Sequence, residues 1–178
     1  MQWTGAGVLL LFIIFATAVM LFLLHLTRAG RFLHERIPDR PHRRLFLASV
    51  SFFITFLAVR LLVYAITHHI GPFGWVMMGG RHIHHLVWGI LILLIVGYAN
   101  LAEVGTGPTP QSIFAGRLLS ILYGVGAALT LDEFALWLNL EDVYWSRQGR
   151  ESIDAVVLFG ALLAIGTWGA PLLRRKKG

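Results

Sequence analysis

RHIHHLVWGILILLIVGYANL, residues 81–101, opens with an arginine and three histidines and then runs without a charge to Leu101. A run of this length approaches the ~20 residues that a helix needs to cross the hydrocarbon core of a bilayer. Read as a span over 83–101, it sets ionisable groups at the mouth of an apolar helix. Working outward, four more apolar stretches of similar length appear, at 6–26, 45–67, 113–140 and 153–173. The chain of 178 residues is 57% hydrophobic and 13% charged. A soluble domain carries about a quarter charged residues, and here the charges retreat to the ends of the apolar runs. The predicted fold is therefore all-α, a single integral membrane domain over 1–178 built as a polytopic bundle of five transmembrane helices. The first stretch reads as a span rather than a signal peptide, since it has no basic n-region and is long for an h-region.

Lysine and arginine set the expected direction. Arg28, Arg31, Arg36, Arg40, Arg43 and Arg44 follow span one, Arg117 opens span four, and Arg174, Arg175, Lys176 and Lys177 end the chain, eleven on one side. Arg81, Arg147 and Arg150 make three on the other, and Arg60 lies within span two. The N-terminus is expected outside and the C-terminus in the cytoplasm. The sequence pI is about 10.5, but the basic residues flank apolar runs, so the expected partners are the lipid bilayer and anionic lipids at the cytoplasmic face, not nucleic acid. With no cysteine, disulfides, thiolate ligands and a cysteine nucleophile are excluded. The short loops leave no room for a soluble domain.

The polar groups collect on one side. His68, His69, His82, His84 and His85 stand at the outer ends of spans two and three. Asp132, Glu133, Glu141, Asp142, Glu151 and Asp154 stand in the outer part of span four, the next loop and the start of span five. Helical spacing places His82, His85 and Gly89 on one face and turns His84 away, toward a headgroup or loop. In span four, Gly116, Ser120, Gly124, Ala128 and Asp132 recur every fourth residue, a small-residue stripe that lets helices pack closely and makes Asp132 face protein. Arg60 and Asp132 lie about 12 Å below the outer ends of their spans by helix rise. Charges at such depth pair, so Arg60 is expected to meet Asp132 or Glu133.

Imidazole and carboxylate without sulfur form a ligand set for zinc, iron or manganese. His82 and His85, with Asp132, Glu133 and Asp154, are the candidate ligands of one divalent metal, zinc first. H-x-H-H is a weaker signal than H-E-x-x-H, and interfacial histidines that bond headgroups or water are the plain alternative. In the metal reading Glu133 is the base on bound water, and Arg60 or Arg81 steadies an oxyanion or phosphate. The expected activity is a metal-dependent hydrolase at the extracytoplasmic side, acting on a lipid or lipid-linked substrate. Two other classes compete: an accessory or assembly subunit that works with other membrane subunits, and an oligomeric proton or ion pathway.

LTLDEFALWLNLEDVYW, 129–145, together with RHIHHLVWG, 81–89, resembles a group of small, uncharacterised bacterial polytopic integral membrane proteins. The likeness covers spans three to five. It implies a bacterial inner membrane location and carries over no catalytic residue. The histidines do not match the several histidine boxes of membrane desaturases, nor the serine, aspartate and histidine layout of the alkaline ceramidase superfamily.

Overall fold

The structure is a computed structural model that describes residues 39–71, 74–75, 77–78, 81–135 and 150–168, with positions 17, 18, 35 and 37; for 78, 81, 82, 150–152 and 164–168 it describes the backbone alone. Four helices, α1 (Arg40–Thr67), α2 (His85–Leu101), α3 (Pro110–Asp132) and α4 (Arg150–Trp168), make up nearly all of it. Between α1 and α2 the chain forms an antiparallel ladder, β1 (Met77–Met78) with β2 (Arg81–His82). The all-helical expectation therefore holds. By length and composition α1 and α3 can cross a membrane, whereas α2 and the apolar part of α4, Ile153–Leu163, are shorter. Span one falls almost wholly outside the described residues.

Capping explains two boundaries that differ from the sequence reading. Asp39 accepts the backbone N–H of His42 and Pro41 follows in the first turn, a pairing that starts helices because proline needs no donor there. Arg40, Arg43 and Arg44 consequently belong to α1 and not to the preceding loop. Thr109 caps α3 through the backbone N–H of Ser112, at 3.2 Å, ahead of Pro110. At its other end α3 stops at Asp132, where Glu133 leaves helical geometry (φ −108°, ψ 27°); the expected run to 140 is interrupted there. Arg60 Nη2 donates to the Asp132 carbonyl at the end of α3, at 3.3 Å.

α3 is the centre of the bundle. It packs against α1 on one side and α2 on the other, while α4 covers α1 and touches α3. The small-residue stripe is what allows this: Gly116, Ser120, Gly124, Ala128 and Asp132 are all buried. A methyl group on Gly124 would run into the Ser51 hydroxyl, the Ala48 carbonyl and the Phe52 amide. On the opposite flank, a methyl on Gly89 would lie 2.5 Å from Thr130 Oγ1 and 2.8 Å from the Gly126 carbonyl. Two apolar clusters fill the contacts. Leu47, Val59, Val63, Ile121, Val125 and Leu129 form one, and Phe52, Ala127, Ala128, Val156 and Leu163 the other.

Large apolar side chains also cover the outside. Leu57 and Leu61 on α1, Leu94 and Ile95 on α2, and Leu158 and Leu162 on α4 are all at least 60% exposed. Water makes contiguous apolar surface of this kind costly, whereas lipid does not.

Candidate functional site

The C-terminus of α3 meets the N-terminus of α2, and α1 passes beside both. Five side chains converge there. Arg60 Nε lies 2.5 Å from Asp132 Oδ1. His85 Nε2 lies 3.0 Å from the other oxygen, Asp132 Oδ2. His85 Nδ1 is 3.5 Å from Glu133 Oε1, and His84 Nδ1 is 2.8 Å from the same oxygen. Glu133 Oε2 accepts the backbone N–H of Leu86 at 2.9 Å. The chain of contacts thus runs Arg60, Asp132, His85, Glu133, His84.

Helix termini make this a favourable place for these charges. α2 has no cap from its own N-cap side chain; the Glu133 carboxylate, from another element, accepts one of its orphan N–H groups and sits at the positive end of the helix dipole. Arg60 stands at the negative end of α3, on the last helical carbonyl. Its guanidinium also lies over the Phe56 ring, 5.2 Å from the centroid. Burial increases inward: the side chains of His84, His85 and Asp132 are 23%, 12% and 0% exposed. Asp132 is closed off, between His85 on one side and the 22%-exposed Arg60 on the other.

The expected pairing of Arg60 with one of the two acids is present, and the partner is Asp132. His85 faces inward as expected. His84 does not turn to a headgroup or loop; it binds Glu133. The helical spacing from His82 does not apply, because α2 begins only at His85. His84 is the N-cap, with extended backbone (φ −68°, ψ 144°), and His82 belongs to β2. The side chains of His82 and Arg81 fall outside what is described. Asp154 is exposed on α4 and makes no hydrogen bond to the cluster. Among the described residues, no group of three or more His, Cys, Asp or Glu side chains is placed to hold a metal ion.

Two features escaped the sequence reading. The trans cap by Glu133 has no local signature. The second lies at the far end of the bundle, where Arg44 Nη2 donates to Asn100 Oδ1 at 2.8 Å and Arg44 Nε to Ser120 Oγ at 3.3 Å. Recognising Asp39 and Pro41 as a helix start would have placed Arg44 on α1 and opposite those residues. Comparison of the chain with protein-family models, curated proteins and solved structures finds no match.

Proposed function

We propose that the chain is a multi-pass membrane protein, in the bacterial inner membrane with its C-terminus cytoplasmic, that holds a proton at a buried Arg–carboxylate–imidazole centre on the extracytoplasmic side. The observation that carries this is His85. Each of its ring nitrogens faces a different carboxylate, Asp132 and Glu133. A carboxylate accepts and does not donate, and a neutral imidazole has one N–H and one acceptor. Carboxylates 3.0 Å and 3.5 Å from the two nitrogens favour one further proton, held on the ring. Charge balance agrees. Arg60, Asp132 and Glu133 sum to one net negative charge with both imidazoles neutral, and a single proton cancels it where uncompensated charge is costly.

His84 and Arg60 flank the centre at similar exposure, 23% and 22%, with Asp132 closed off between them; beyond it the core is apolar apart from the hydroxyls of Ser51, Thr55, Ser120 and Thr130, with no buried ionisable group among the described residues there. This favours local acid–base chemistry over a pathway through the bundle. Hydrolysis of a lipid or lipid-linked substrate at the outer leaflet is the reaction class the centre would serve, with His84 as the group nearest substrate. In this reading Glu133 orients the imidazoles and caps α2, and Arg60 holds Asp132. The apolar exterior and the resemblance to small bacterial membrane proteins support the membrane location.

The metal hydrolase is the second reading: His84, His85 and Glu133 are joined in one chain of contacts, although among the described residues no group of three is placed to hold a metal ion. Nitrogen-15 NMR of histidine-labelled full chain in lipid nanodiscs separates the two. The proton reading expects one imidazolium with strongly hydrogen-bonded nitrogens, lost in His85→Gln and altered in Asp132→Asn. Stoichiometric zinc, iron or manganese in the purified chain, lost in both His84→Ala and His85→Ala, would replace it with the metal reading.

A further inference from the structure

At the arginine-rich end of the bundle, an open cleft of about 360 Å³ lies between α1, α2 and α3. Arg44, Asn100 and Ser120 form its polar part, and Leu45, Ala48 and Tyr123 are among its apolar walls. Arg44 is the one charged residue in the lining. Its guanidinium is held across three helices by two neutral acceptors, Asn100 Oδ1 on α2 and Ser120 Oγ on α3. Ser120 in turn donates to the Gly116 carbonyl at 2.7 Å, which leaves its oxygen to accept from Arg44. A guanidinium has five N–H donors, so three remain without a protein acceptor among the described residues. The usual partner of a fixed, half-buried guanidinium is a carboxylate, and none lines this cleft.

We propose that the cleft binds one phosphate-bearing anionic lipid from the leaflet at this end. The phosphate would take the remaining Arg44 donors, and an acyl chain would lie on Leu45, Ala48 and Tyr123. Three features of the cleft select this occupant. The planar fork of donors matches phosphate oxygens. The walls beside it are apolar, as an acyl chain requires and a free inorganic anion does not. Arg40 lies one turn before Arg44 on α1, and Arg43 and Arg117 stand at the same end of the bundle, so the local charge favours an anionic headgroup over a zwitterionic one. Asn100 and Ser120 thereby act as positioning residues for Arg44. The site rests on the membrane reading above but is independent of the histidine centre at the opposite end.

The test is native mass spectrometry of the full chain released from nanodiscs of phosphatidylcholine doped with phosphatidylglycerol. One retained phosphatidylglycerol per chain is expected. Arg44→Gln should lower its retention about tenfold or more, the loss of a hydrogen bond to a charged group. Asn100→Leu keeps the charge and the exposed helix end but frees the guanidinium, and should lower retention part of the way. Arg174→Gln makes the same change in net charge and should cost about fivefold or less, the share of one basic residue in a general attraction to an anionic membrane. Equal losses for Arg44→Gln and Arg174→Gln, equal retention of the two lipids, or displacement of phosphatidylglycerol by millimolar inorganic phosphate would overturn the site. If Arg44→Gln does not fold, an unchanged retention in Asn100→Leu and Ser120→Ala would overturn it as well. Recovery of the chain as a water-soluble protein would overturn both this site and the membrane reading, whereas the histidine NMR result bears on the acid–base centre alone.

Discussion

Asp132 is fully buried and gives each of its oxygens to a different base, Arg60 and His85. Removing Arg60 leaves that carboxylate with less compensation than it needs. Arg60→Ala should therefore destabilise the fold by about 3–5 kcal/mol, the cost of breaking a buried pair from one side. Asp154→Asn, at an exposed position, should stay within about 0.5 kcal/mol. Thermal unfolding in detergent checks both. Arg60→Ala combined with Asp132→Asn should recover part of the loss, since the amide needs no counter-charge; a double variant no more stable than Arg60→Ala would show that the pair does not matter. His85→Ala should cost more than His84→Ala, because His85 bridges two carboxylates and His84 touches one of them.

The helix glycines differ in how closely a neighbour approaches them, and the elements should respond unequally to added methyl groups. Gly124→Ala drives a Cβ into the backbone of α1 at Ala48 and Phe52. Backbone cannot yield as a side chain does, so α1 and α3 must separate, at about 1–3 kcal/mol or more. Gly97 on α2 has nothing within 4 Å of an added Cβ, and Gly97→Ala should be neutral or stabilise by up to about 1 kcal/mol through helix propensity. Equal effects at the two positions, measured by unfolding, would contradict the close α1–α3 crossing. The start of α2 depends on another element. Glu133→Ala should cost about 1–2 kcal/mol from the lost cap alone, and hydrogen exchange should show the first turn of α2, including the Leu86 amide, opening before the rest of the helix.

For the whole molecule, the testable consequence is direction. α1 and α3 run the same way, from the arginine-rich end toward the histidine centre, because Arg40 and Pro110 begin them and Arg60 and Asp132 meet near their other ends. If the basic end is cytoplasmic, a reporter fused after Gly178 should be active only in the cytoplasm and one inserted at Gln148 only outside. The reverse pattern at both sites would move the acid–base centre to the cytoplasmic face and the lipid cleft to the outer leaflet.

Periodicity and depth were readable directly from the residues. The apolar runs announced the helices, the four-residue stripe from Gly116 to Asp132 announced the buried face of α3, and matched depth announced the meeting of Arg60 with the acids on α3. Each follows from local geometry, 3.6 residues per turn at a constant rise, and needs no knowledge of the partner. The assignment of individual groups did not follow. Asp132 rather than Glu133 takes Arg60, and His84 rather than an outward-facing side chain reaches Glu133. Those outcomes depend on where α2 begins, and that start is capped by a carboxylate 47 residues later in the chain. Counting helical phase from His82 fails because the residues before His85 are extended, and nothing local fixes that boundary. The chain alone determined which faces are buried and at what level charges must pair; only the tertiary structure, by bringing the end of one helix against the start of another, decided which ionisable groups share a site.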